Sequence, residues 1–150
     1  MTLSLTEDEA VAVAETVAAF VAVLPEGKHG PYGALIEAAG TREIGEELLP
    51  ALERVCALAL ETGKARQLGR AEAERLLTAV YRRTPGGHAL SAETADVNRL
   101  LSQFAGRTLQ SARITSRTPG RYQLDLVVDG IDIAIALEPE GLEVRSLQTG

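Results

Sequence analysis

The chain has 150 residues, one cysteine and a formal net charge of −6. This length is typical of one domain, and the lone Cys56 excludes an intrachain disulfide, so we expect a reducing, cytoplasmic compartment. The first charged residues are acidic, unlike a secretory signal, so we expect no export by that route. The longest apolar run, residues 17–24, is far shorter than the about 20 residues of a membrane span, so we expect no membrane partner.

Charge is segregated along the chain. Residues 1–62 have three basic and eleven acidic groups, residues 63–121 have eleven and four, and residues 122–150 have one and six. The basic middle segment is rich in arginine, whose planar guanidinium binds carboxylates and phosphates bidentately. Two interpretations remain open: the segment contacts a partner, or it faces the acidic helices of the same chain or of a second subunit.

The first predicted helix begins at a capping box. Thr6 and Glu9 have the T-x-x-E spacing in which each side chain binds the backbone N–H of the other residue. The side of the helix opposite the main apolar stripe has no charge after Glu15, so we expect the helix to be central to the domain or part of a homo-oligomer interface. The stripe recurs at helical spacing until Pro25: Ala10, Val13, Ala14, Val17, Phe20, Val21 and Leu24.

Glycine and proline separate the next helices. Residues 34–39 are predicted to form a short helix closed by Gly40, and Thr41 to cap a longer helix that ends at Gly63. Pro50 lies inside the longer run. It either kinks the helix or begins a second one at its first position, where the missing N–H costs nothing.

Two more helices are predicted before residue 107. The first lies between Gly69 and a turn at residues 85–87, and Ser91 caps the second, which Gly106 ends. Their apolar stripes are Ala73, Leu76, Leu77, Val80 and Tyr81 for the first, and Val97, Leu100, Leu101 and Phe104 for the second.

From residue 107 the hydrophobic period becomes two, which predicts strands. Asp129 and Gly130 form a predicted two-residue type I′ turn, and the resulting register places Arg121 opposite Glu138 as a cross-strand ion pair. The same register puts eight side chains on one face: Tyr122, Leu124, Leu126, Val128, Ile131, Ile133, Ile135 and Leu137.

Turns at residues 118–120 and 138–141 add one strand on each side of this hairpin. For the second turn, a type I turn with a glycine bulge places Leu142 and Val144 on the Ala134 face, whereas a tighter turn places them with the eight apolar residues. We therefore predict an α+β fold: about five N-terminal helices followed by a four-stranded antiparallel β-meander packed on the helices. The prediction is a single domain, 1–150, with a helical part at about 6–105 and a sheet part at about 107–148.

A glycine loop follows the first helix and is a possible anion or ligand site. Gly27, Lys28, His29 and Gly30 precede a helix N-terminus, where backbone N–H groups bind anions. The loop lacks the G-K-[ST] ending of a phosphate loop, and no strand precedes it. An ordinary surface loop between helices explains the same residues.

Metal binding has weak candidates. Asp125, Asp129 and Asp132 lie on the polar face of the central hairpin, and converging carboxylates bind hard cations. Alternation alone also places polar residues there, because a half-solvated strand points something polar outward. We therefore predict no metal and no cofactor.

The nucleophilic and zinc-ligating residue types are scattered. His29 and His88 lie in glycine-containing loops, and Cys56 lies on the buried stripe of a helix. Three separate ligands do not make a structural zinc site, and a buried cysteine is more often inert packing than a nucleophile. No Ser-His-Asp order or cofactor fingerprint occurs, so we lean against an enzyme.

The arginines are the main candidate contact site. Arg75, Arg82 and Arg83 are predicted to bind a partner. Nucleic acid is disfavoured as the partner because the chain is acidic overall and has only three tyrosines and two phenylalanines for base stacking.

We expect a non-catalytic protein–protein interaction or accessory protein that self-associates through the first helix. The alternative is a small-molecule binder or small enzyme with a pocket between sheet and helices. The third reading is a nucleic-acid accessory protein that uses the central arginines.

Overall fold

The fold class is α+β, as the sequence predicts: five helices precede a four-stranded antiparallel sheet. The computed structural model describes residues 1–149, and the chain divides after His88 into two compact units. Each unit has a hydrophobic core of its own. The sequence predicts a single domain, in which the two units would unfold together. This stays a prediction.

The helices and strands have the following bounds. The helices are α1 (Glu7–Ala22), α2 (Tyr32–Thr41), α3 (Leu49–Glu61), α4 (Lys64–Arg82) and α5 (Pro85–Ser102). The strands are β1 (Leu3–Ser4), β2 (Glu43–Ile44), β3 (Leu109–Thr118), β4 (Arg121–Val128), β5 (Ile131–Glu138) and β6 (Gly141–Thr149). Over residues 1–149, no helix combines the length and the apolar composition needed to cross a bilayer.

Helix α1 is central to the first unit. Its capping box is confirmed: the Thr6 hydroxyl accepts from the Glu9 N–H at 3.2 Å, and the Thr6 N–H donates to the Glu9 carboxylate at 2.9 Å. The helix packs on α2, α3 and α4, and an exposed stripe that includes Val11, Glu15 and Ala18 remains on its outer side. The core includes the fully buried side chains of Val13, Val17, Leu35, Ile44, Leu52, Leu77 and Val80.

Two predicted features around residue 41 are wrong. Helix α2 continues through Gly40 and ends where Arg42 takes a left-handed conformation, with a φ of 63°. The Thr41 hydroxyl donates to the Ala38 carbonyl inside this helix, so it caps nothing that follows. Pro50 lies in the first turn of α3, which is the second of the two alternatives for this residue.

The predicted turn at residues 85–87 and the predicted cap at Ser91 are also wrong. Residues 85–87 are the first turn of α5, and Ser91 lies inside that helix. The Thr84 hydroxyl accepts from the Gly87 N–H at 3.2 Å and closes the helix N-terminus. A proline at the first helical position has no hydrogen bond to lose, so it begins this helix instead of breaking it.

The central hairpin of the sheet is confirmed. Asp129 and Gly130 have φ values of 49° and 77°, both positive as a type I′ turn requires. Arg121 lies opposite Glu138, and their charged atoms are 3.1 Å apart. The strand order is β3-β4-β5-β6, a simple meander.

The last hairpin has the tighter turn. Leu142 pairs with Leu137 and Val144 with Ile135, so both side chains join the apolar face. A bulge between Val144 and Ser146 then shifts the register, and Leu147 pairs with Ile133 on the same face. The sheet therefore has one apolar face that extends across all four strands.

Candidate interaction surfaces

Arg83 is a structural tie within the first unit. Its guanidinium lies 2.6 Å from the Glu9 carboxylate, whose side chain is only 10% exposed, and it also donates to the Ser4 carbonyl at 2.8 Å. The contacts join the end of α4 to the start of α1 and to β1. The structure thus separates Arg83 from Arg75 and Arg82, with which it was predicted to form one site.

Arg75 and Arg82 line the same shallow depression on α4, together with Glu74 and Thr78. Arg75 donates to Glu72 at 2.6 Å, and this hydrogen bond lowers the pKa of the Glu72 carboxyl. Both arginines are exposed. A partner site at these two residues stays a prediction.

The segregated charge is partly matched inside the chain. Arg83 binds the acidic first segment, and Arg121 binds Glu138 and Glu140 of the acidic last segment. The remaining pairs of the basic segment are local: Arg66 with Glu74, Arg75 with Glu72, and Arg99 with Asp96. Part of the basic segment therefore pairs with acidic residues of the same chain. The rest is still open to the other interpretation, contact with a partner.

The glycine loop folds back on the end of α1. Residues 26–28 form a single 3-10 turn, and the His29 imidazole lies 3.2 Å from the Leu24 carbonyl, to which it donates. Lys28 is exposed, and Gly30 has a φ of 41°. These contacts account for the loop conformation, and an anion site there stays a prediction.

The three aspartates are held within the sheet. The Asp129 carboxylate accepts from the Thr108 N–H at 3.2 Å, and Asp125 accepts from Gln123 at 2.8 Å. Asp132 pairs with Val127 in the register. In the part of the chain that the structure describes, no three His, Cys, Asp or Glu side chains converge as a metal site would require.

Cys56 is buried, and burial raises the pKa of its thiol to about 12, with a smaller contribution from Glu53. Because the thiolate is the reactive form, we expect the native protein to react with a thiol reagent at pH 8 on the order of 1,000-fold more slowly than the unfolded protein. Labelling in buffer and in 6 M guanidinium (roughly the range that unfolds even stable domains) measures the ratio. Rapid stoichiometric labelling of the native chain would contradict it.

An apolar groove lies between the last turns of α1, α3 and the first turns of α4. Its volume is about 480 Å³, and Val23 at its rim is 79% exposed. The remaining lining includes Ala19, Phe20, Ala22, Leu58 and Leu68. Sequence reasoning did not predict the groove, although the charge-free side of the first helix contributes three of these residues.

The apolar face of the sheet is only partly covered by α5. Val97, Leu101 and Phe104 pack on the middle of this face. Ile114 on β3 and Tyr122 on β4 are 62% and 44% exposed, so Tyr122 is not buried as predicted. We call Ile114 and Tyr122 the sheet flank.

Comparisons of the chain with protein-family models, with curated proteins and with solved structures find no match. The fold defines the class, an α+β protein with a helical unit and a unit made of one helix and a four-stranded sheet. Two apolar surfaces of the chain are the groove in the first unit and the sheet flank in the second.

Proposed function

We propose that the chain is a non-catalytic interaction or accessory protein that self-associates through the sheet flank. The observation that supports this is the exposure of Ile114 and Tyr122 on the same face that forms the core of the second unit. Side chains that continue a core beyond its cover are typical of an interaction site.

The widths of the elements explain why the flank is exposed. Neighbouring strands are about 4.8 Å apart, so four strands span roughly 19 Å. One helix with its side chains is about 10–12 Å wide, so α5 covers about two strands. The helix packs on the middle of the sheet, so both sides of the apolar face extend past it: Ile114 and Tyr122 on the β3 side, and Leu147, 49% exposed, on the β6 side.

A second copy of the chain suits this surface. The side chains of the flank carry no charge, so two flanks related by a two-fold axis place apolar groups against each other without like-charge repulsion. The first helix, where the sequence favoured self-association, packs on three other helices of its own unit, and six of its sixteen residues are buried. The flank consists of two side chains, so its exposed area is below the about 800 Å² that each partner buries in a standard interface. We therefore expect weak, micromolar association.

Sedimentation velocity over a range of concentrations tests this proposal. We expect the wild type to shift from monomer to dimer as its concentration rises, and Ile114→Lys to remain monomeric. Thr115→Lys is the matched control, because it places the same charge on the same edge strand but on the opposite face. A wild type that stays monomeric throughout, or equal effects of the two variants, would sink the proposal.

The two other candidate functions have different support. The small-molecule alternative gains a specific observation, the groove, although it lies among helices and not between sheet and helices. The nucleic-acid reading loses part of its support, because Arg75 and Arg121 already bind carboxylates, whereas Arg82 forms no ion pair within residues 1–149. A phosphate-dominated mode requires free arginines, whose binding weakens as salt rises.

A further inference from the structure

The groove in the first unit is lined mainly by carbon. Its walls are two helical turns of α1, residues 16–23, and two of α3, residues 55–62. Leu68 closes the third side from the first turns of α4, ahead of a break in that helix at Gly69 and Arg70. A ligand that fills the groove must therefore be apolar along its body.

The two hydroxyl groups of the lining offer no hydrogen-bond donors to a ligand. The Thr16 hydroxyl donates to the Ala12 carbonyl at 2.7 Å, and the Thr62 hydroxyl donates to the Leu58 carbonyl at 2.6 Å. Both threonines thus use their single proton within their own helices. A neutral polar ligand would lose hydrogen bonds to water here without replacing them.

One charged side chain, Lys64, lines the groove. It is exposed, and within residues 1–149 it forms no ion pair, unlike Arg66 two residues later. The neighbouring depression, which shares Thr16 and Leu68 with the groove, is lined by acidic residues: Asp8, Glu15 and Glu72. The groove and the neighbouring depression therefore carry opposite charges. The positive charge, that of Lys64, lies at the apolar groove.

We propose that the groove binds a dissolved single-chain carboxylate, with the alkyl chain along α1 and α3 and the carboxylate at Lys64. The volume of about 480 Å³ lies within the range of ligand pockets, about 300–1,000 Å³. Each wall spans about 11 Å, which suits an alkyl chain of roughly ten carbons. This proposal does not depend on self-association, because it concerns a different unit.

The alkyl chain gives a quantitative expectation. Burial of each added methylene strengthens binding about fourfold, so affinity rises from hexanoate through octanoate to decanoate. The gain ends once the chain exceeds the groove, at roughly ten to twelve carbons. Lys64 is exposed, so its ion pair adds only about two- to fivefold.

The test is calorimetric titration of the full chain with decanoate and with decyltrimethylammonium, which has the same tail and a positive head group. We expect decanoate to bind more tightly although the protein is negatively charged, and Lys64→Glu to reverse this preference. Lys28→Glu makes the same charge change at an exposed lysine outside the groove and leaves the preference unchanged. Leu58→Asp abolishes binding of both ligands.

Any of the following results would overturn the proposal: equal binding of the two ligands by wild type, equal effects of Lys64→Glu and Lys28→Glu, or an affinity that does not depend on chain length. Retention by anionic phospholipid vesicles without binding of dissolved decanoate would also overturn it, because the occupant would then be a membrane surface. Circular dichroism of each variant establishes that it is folded.

Discussion

Replacing Arg83 with alanine is expected to lower the free energy of unfolding of the first unit by about 2 kcal/mol. The substitution leaves the Glu9 carboxylate, 10% exposed, without the cation that it contacts in the structure, and it removes the hydrogen bond to the Ser4 carbonyl. The value is below that of a fully buried pair because Arg83 is 42% exposed. Thermal denaturation measures the loss as a decrease in Tm of roughly 10 °C.

Arg82→Ala is the matched control for this experiment. The two arginines are adjacent, both lie at the end of α4, and the variant removes the same charge from an exposed side chain that forms no ion pair within residues 1–149. We expect a change of at most about 0.5 kcal/mol. In a double-mutant cycle, Arg83→Ala should cost less once Glu9 is already alanine. Equal losses from the two arginine variants would mean that the Glu9 contact contributes nothing.

The second large effect is expected at Gly87, in the first turn of α5. A β-carbon at this position would overlap the backbone carbonyl of Tyr81, which cannot move without displacing the end of α4. We expect Gly87→Ala to cost about 2 kcal/mol, in the range typical of overpacking, although alanine is the better helix former. Urea unfolding monitored by circular dichroism gives this value from the shift in midpoint.

Gly86→Ala separates steric overlap from the effect of losing a glycine. Its β-carbon would meet the Glu53 carboxylate at 3.1 Å, the end of a flexible side chain that can shift by a few tenths of an ångström and still accept from the residue 86 N–H. We expect a change within about 0.5 kcal/mol, because the gain in helix propensity offsets the displaced contact. If both alanine variants are equally stable, the first turn of α5 does not approach Tyr81 as closely as the structure shows.

The unfolding curves of these variants also bear on the predicted single domain. Arg83 and Gly87 both lie in the first unit. If the chain is one cooperative domain, its helical and sheet signals shift together in each variant. Two transitions, of which only the first moves, would mean that the helical unit and the sheet unit unfold separately.

Local patterns were sufficient for much of the fold. The capping box at Thr6, the helical stripes and the Asp129–Gly130 turn depend on neighbouring residues, so spacing alone predicted them. The alternation of β4 and β5 also fixed the pairing of Arg121 with Glu138. These features depend on residues of one helix or one hairpin, and tertiary packing did not override them.

The boundaries and the surfaces depended on distant contacts. The Thr84 cap of the helix that begins at Pro85 is a local signal, whereas Glu53, far earlier in the chain, accepts from the Gly86 N–H at 2.6 Å, a contact that spacing does not specify. The last hairpin had two allowed registers, and burial of Leu142 against the apolar face accompanies the tighter turn. Local spacing does not carry this information.

For function, the sequence by itself determined the fold class, the segregation of charge and the inert environment of Cys56. Only the tertiary structure decided that Arg83 binds Glu9, because these residues are far apart in sequence and a charge pattern does not specify pairs. The groove and the sheet flank are also visible only in the tertiary structure. Each depends on how much apolar surface the neighbouring elements leave uncovered, which is a property of packing and not of any single segment.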